Sequence, residues 1–159
     1  MRRANSRLSP FAWWLSICFT LSSCAHDPYQ ARIDQIKAHV DAFYTHLKAD
    51  RVEAAIHENE EIETLAGQLG EAIRRRARQA GMNRVDHEWA LVKTANEAAA
   101  QNWLALGQYF AIKQRYDQAR KAYQRVVDTY TGSSERPYRE RAARALLDLD
   151  IMNPPSKQP

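Results

Sequence analysis

Apolar residues recur at spacings of three and four along most of the chain, and strand-type alternation is missing. Ile33, Ile36, Val40, Phe43 and Leu47 draw one apolar stripe. Asp27 and Pro28 supply a cap and a first helical residue for it, and Gln30 is placed to reach back to the cap. Lys48-Ala49-Asp50-Arg51 interrupts the stripe as a short turn. A second helix is predicted from Val52 to Ala80, with Ile56, Ile62, Leu65, Leu69 and Ile73 inward. Gly67 and Gly70 lie inside it, where they permit a close helix crossing or mark a local break, and Gly81 stops it. Asn83 or Asp86 then caps a third helix, whose stripe is Trp89, Val92, Asn96, Ala99, Trp103, Leu106 and Phe110. That helix is long, and Thr94 is where a break would fall. Asn96 sits on the stripe as a candidate register-setting polar residue. A fourth helix runs from Tyr116 to about Tyr130, and Thr131-Gly132-Ser133-Ser134 makes a turn with ready caps. Pro137 fits the first turn of a fifth, with Tyr138, Ala142, Ala145, Leu146 and Leu149 inward. Between Pro28 and Pro137 there is no proline, and Ala, Glu, Arg, Gln and Leu dominate. The fold class is therefore all-α, built from antiparallel helical hairpins.

The two ends of the chain follow a different pattern. Arg2, Arg3 and Arg7 precede an apolar run from Phe11 to Leu21, which is too short to cross a bilayer as a helix. Basic start and short apolar run are the layout of an export signal. Leu21-Ser22-Ser23-Cys24 closes it and resembles a bacterial lipobox, which implies residues 1–23 as a signal peptide and a covalent lipid (palmitate among its acyl chains) on Cys24. Two plainer alternatives are an ordinary cleavage site at Ser23-Cys24-Ala25, releasing a soluble periplasmic protein, and an uncleaved anchor. Cys18 would leave with the leader, so no intramolecular disulfide is available to the mature chain. A helical domain over residues 24–152 would follow, and Asn153 to Pro159, with three prolines, is predicted to be an unstructured tail.

Charge changes the picture little. Losing Arg2, Arg3 and Arg7 from the 23 basic side chains leaves 20 against 19 acidic ones, so nucleic acid is a poor partner. In the second helix Glu53, Glu58, Glu60, Glu61 and Glu63 come early and Arg74, Arg75, Arg76 and Arg78 late, the order the helix dipole favours. An anionic or lipid-headgroup patch on the four arginines is the sharper alternative. The histidines are His26, His39, His46, His57 and His87, and no pair has the four-residue spacing of a helical zinc site. Glu53, His57 and Glu61 share a face, too little for a metal centre. Phosphate-loop, Gly-x-Ser-x-Gly and cysteine-nucleophile patterns are missing, so no catalytic residue, metal or cofactor is expected beyond the lipid. The aromatics Trp89, Trp103, Tyr109, Phe110 and Tyr116 fit core packing better than a ligand box, with Tyr109 off the stripe.

The segment Ala99 to Thr131 resembles a tetratricopeptide repeat. Trp103, Leu106, Gly107, Phe110, Ala119 and Tyr123 stand where that pattern puts its signature residues, although Gln114 occupies the turn position usually held by a small residue. Gly107 and Ala119 would let two helices approach while aromatics fill the flanks. Residues Ser134 to Leu149 look like the opening helix of a further repeat or a cap, and Ile33 to Ile56 like a degenerate earlier pair. One hairpin cannot bury its own face, so the other helices should cover it.

The resemblance implies a non-catalytic envelope lipoprotein on the periplasmic side of the outer membrane, acting as a scaffold or assembly factor for other envelope proteins. In such repeats the first helix of each pair lines the ligand groove. Carried onto this chain, the partner-binding positions are Gln101, Leu104, Gln108, Ala111 and Ile112, a neutral and partly greasy groove suited to an extended or helical segment. The opposing expectation is that the second or fifth helix covers this face. A bundle that self-associates through the Ile33–Leu47 stripe is the structural alternative.

Overall fold

The computed structural model describes residues 27–80 and 86–153. It contains α1 (Pro28–Lys48), α2 (Val52–Ala80), α3 (Asp86–Ile112), α4 (Tyr116–Thr129) and α5 (Arg136–Met152), with no strand among the described residues. The leader, Cys24, His26, Gly81, Asn83 and residues 154–159 lie outside the described residues, as does the side chain of His87.

Local chemistry explains most of the helix ends. Asp27 Oδ1 accepts from the Tyr29 N–H at 3.0 Å, and Pro28 follows at the position where its missing N–H costs nothing. Gln30 does not close a capping box, because its amide turns forward to Asp34 Oδ1 at 2.9 Å. Pro137 stands in the first turn of α5 as expected. The serines before it do not cap that helix; Glu135 holds the cap position and makes no capping hydrogen bond. α3 runs unbroken through Thr94, whose hydroxyl donates back to the Ala90 carbonyl at 2.9 Å and leaves the ladder continuous. α2 is unbroken at its glycines too.

The turns between α1 and α2 and between α3 and α4 are the same turn. Asp50 N–H bonds the Leu47 carbonyl and Arg51 N–H the His46 carbonyl. In the second hairpin Gln114 N–H bonds the Ala111 carbonyl and Arg115 N–H the Phe110 carbonyl. This is the Schellman arrangement, and its left-handed residue is Asp50 (φ 58°) in one turn and Gln114 (φ 59°) in the other. One turn beyond, Ala55 and Ala119 are each fully buried. The register of the Ala99–Thr131 hairpin thus recurs in the α1–α2 pair.

The short turns make α1 to α4 two antiparallel hairpins, and each helix packs on its neighbours in sequence. The odd-numbered helices also touch one another: α3 contacts α1 and α5 as well as α2 and α4. Because α3 touches all four other helices, its apolar positions are not confined to one stripe. Leu91, Ala95, Ala100 and Leu104 are buried alongside Ala99, Trp103, Leu106 and Phe110. Trp89, placed inward by the periodicity, is 43% exposed. The polar residue at the helix interface is not Asn96, which is only half-buried, but Asn102. Its amide donates to Asn59 Oδ1 at 2.9 Å, and Asn59 donates to the Ala99 carbonyl at 3.2 Å. No described helix is long and apolar enough to cross a membrane.

Candidate functional site

The signature residues of the hairpin meet as a unit. Trp103, Leu106, Gly107, Phe110, Ala119 and Tyr123 are all buried. A Cβ at Gly107 would stand 2.7 Å from Tyr123 Cδ1, closer than real Cβ atoms come, so the ring of α4 lies directly on the glycine. Gly67 and Gly70 do no such work. A Cβ at Gly67 would meet nothing within 4 Å, and one at Gly70 only the Arg74 Nη2 at 3.7 Å. They therefore serve neither a close crossing nor a break, and instead line an open cleft.

The five predicted partner-binding positions separate. Gln108 is exposed and Ile112 is 81% exposed, at the C-terminal end of α3. Gln101 is exposed but already hydrogen-bonded to the Tyr44 hydroxyl of α1. Ala111 is half-buried against the core. Leu104 is 3% exposed and belongs to the core, a correction whose cause is the central place of α3 among four packed helices. The α1 stripe is likewise consumed inside the molecule: Ile36 and Phe43 are buried, and Val40 and Leu47 pack against the same cluster.

A polar centre that local sequence patterns do not announce lies beside Trp103. The Trp103 indole N–H donates to Glu63 Oε1 at 2.8 Å, and Arg125 donates to Glu63 Oε2 at 2.6 Å. The Tyr130 hydroxyl donates to Glu63 Oε1 as well. Arg125 also lies over the Trp103 ring, 4.4 Å from its centroid. Burial, reinforced by the hydrogen bond to Glu63, pushes the Tyr130 phenol far above its ordinary range. Three donors engage both oxygens of Glu63 and tie α2, α3 and α4 together. Its partners stand 40, 62 and 67 residues away in sequence.

Next to this centre is a cleft of about 460 Å³ between α2, α3 and the α4–α5 connection. Glu63, Gly67, Gly70, Arg74, Trp89, Val92, Asn96, Tyr130, Gly132 and Glu135 are among its lining residues. Its size lies within the usual ~300–1,000 Å³ of ligand clefts. Arg74 pairs with Glu71 at 2.7 Å and Arg76 with Glu88, so half of the arginine group on α2 is engaged within the molecule. On the α1–α2 side, His39 Nδ1 meets Glu58 Oε2 at 2.8 Å, and His46 Nε2 lies 3.8 Å from Glu58 Oε1. His57 is 3.8 Å from Glu61. Among the described residues no group of three or more such side chains is arranged to hold a metal ion.

No family model matches the chain, and neither the curated proteins nor the solved structures offer a match.

Proposed function

We propose that this chain is a non-catalytic envelope lipoprotein that binds another envelope protein through its stacked helical hairpins. The observation that carries the reading is the recurrence of one turn, with its left-handed residue and buried alanine, in both α1–α2 and α3–α4. This supports the resemblance of Ala99–Thr131 to a tetratricopeptide repeat, a scaffold for protein contacts. Partner contact falls on the part of the predicted groove that the fold leaves open, Gln108 and Ile112. Lipid on Cys24 would hold the body at the membrane through a tether of only Ala25 and His26, since α1 is capped at Asp27.

The test is crosslinked co-purification from solubilised envelopes, comparing the native chain with Gln108→Lys/Ile112→Glu. Loss of one specific partner at unchanged melting temperature is expected. Retention of every partner would remove the α3 surface from the proposal. Fractionation of Cys24→Ser tests the anchor separately: the variant should leave the membrane fraction or accumulate unprocessed. Self-association remains a second reading on a different surface. The α1 stripe is unavailable, but Leu147 and Ile151 are exposed one turn apart on α5. Sedimentation of Leu147→Ser/Ile151→Ser against the native chain decides it.

A further inference from the structure

The two ends of α2 carry opposite charge, and the fold fixes which end lies by the start of α1. Glu53, Glu58, Glu60, Glu61 and Glu63 fill its first half, and Arg74, Arg75, Arg76 and Arg78 stand in its last turns. α1 and α2 run antiparallel from the Asp50 turn. Counted outward from that turn at equal rise, the start of α1 falls level with Ala72 of α2. At about 1.5 Å per residue, Arg75 and Arg78 therefore stand ~5–9 Å beyond it.

Glu71 engages Arg74, and Glu88 engages Arg76. Arg75 and Arg78 are exposed, and among the described residues no hydrogen bond or ion pair holds either. Their field still reaches Glu71, whose carboxyl lies below its ordinary range through Arg74 first and then through Arg75 and Arg78. Trp89 stands at the same end: it lies in the first turn of α3, is 43% exposed, and lines the cleft together with Arg74. Free arginines beside an exposed indole suit contact with lipid headgroups, where the indole sits at the interface and the cations meet anionic lipid.

We propose that this end of the molecule, Arg75 and Arg78 with Trp89 beside them, rests on the anionic headgroups of the membrane that holds the chain. The inference rests on the lipid anchor proposed at Cys24. From Cys24 to Asp27 the chain can reach at most ~11 Å, so α1 starts within that distance of the bilayer. The arginines stand beyond that start by a similar amount, and upright helices bring them to the surface. There they lie inside the ~8 Å over which surface charge is felt at physiological salt. The glutamates of α2 then point away from the membrane, so one field both attracts the basic end and repels the acidic one. The lipid holds the chain, and the arginine end orients it.

The experiment places the full lipidated chain in vesicles of phosphatidylethanolamine mixed with either anionic phosphatidylglycerol or neutral phosphatidylcholine. A nitroxide on the lipid headgroup quenches tryptophan emission on contact. Once the leader is removed, the tryptophans are Trp89 and Trp103, and Trp103 is buried about four turns further along α3. Trp89→Phe supplies the background. Strong quenching is expected on the anionic vesicles, falling in high salt to the level of the neutral ones. Arg75→Gln and Arg78→Gln should each lower the docked-to-free ratio about fivefold, with melting temperature and vesicle retention unchanged. Arg141→Gln/Arg144→Gln, the same loss of charge on α5, should leave the quenching as it is. Equal quenching on both vesicle types, native quenching in Arg75→Gln/Arg78→Gln, or an equal loss from the α5 pair would overturn the proposal while the anchor stands. Release by phosphate beyond that by chloride at equal ionic strength would overturn it too, assigning the arginines to a free anion. A chain that leaves even the neutral vesicles lacks the anchor, and mass spectrometry of its N-terminus then shows that the underlying reading has failed.

Discussion

At the scale of single residues, two glycines make opposite cases. Gly107 lies under the Tyr123 ring, and Tyr123 is itself buried, so the ring cannot swing aside. Gly107→Ala should cost about 1–3 kcal/mol through overpacking, read from urea melts. Gly67 faces open space in the middle of α2, so Gly67→Ala should stabilise by up to about 1 kcal/mol through helix propensity. Equal effects at the two positions would mean that backbone entropy, not the ring contact, dominates. Tyr130 supplies a test in pH. Its phenol is pushed upward in the folded chain by burial and by Glu63, whereas an unfolded tyrosine titrates near 10.0. Above that pH the unfolded state holds fewer protons than the folded one, so stability is intact below pH 10 and falls as pH rises further. Burial raises Tyr44 and Tyr123 in the same direction, so Tyr130→Phe should flatten the alkaline loss without abolishing it. Urea midpoints from pH 9 to 11 measure the change in slope.

At the scale of elements, the shared turn asks for a residue with positive φ and gets Asp50 and Gln114. A left-handed conformation costs a non-glycine residue roughly 1–2 kcal/mol, so Gln114→Gly should raise stability by about 1 kcal/mol. Asp50→Gly should gain less, because Asp50 also accepts the Tyr109 hydroxyl and lies 3.8 Å from Lys113. Matching denaturant melts of the two variants separate the turn conformation from these side-chain contacts. Helix limits were legible in the sequence for a related reason. Caps, prolines and stripe interruptions act within a few residues, and α1, α2 and α4 each show one clear apolar face. The faces of α3 were not legible, because a helix touched by four others needs apolar residues nearly all round, and periodicity then picks a stripe where none exists. Leu104 is buried for that reason, whereas Trp89 stands in the first turn of α3 and is 43% exposed. The Glu63 centre was hidden differently: its donors come from α3, from α4 and from the residue ending α4.

At the scale of the whole molecule, α3 decides whether the two hairpins melt together. In a stack whose units touch only their neighbours, each unit can fray with its own stability. Here α3 contacts all four other helices, and Glu63 of α2 is bonded to Trp103 of α3 and to Arg125 of α4. Opening either hairpin therefore exposes part of α3 and breaks a polar centre shared with the other. Leu104 is the residue with which to ask, being buried in α3 itself. Leu104→Ala should cost about 2–5 kcal/mol by the lost burial and the cavity left behind. If the molecule opens as one unit, native-state hydrogen exchange will show the slowest amides of α2 and α4 losing protection by the same amount. A change confined to α4 would mean that the hairpins open separately, and that α3 belongs energetically with its own partner. Ile112→Ala is the control on the same helix: its side chain faces solvent, so protection should be unchanged throughout, while any loss of partner capture would trace to the surface alone.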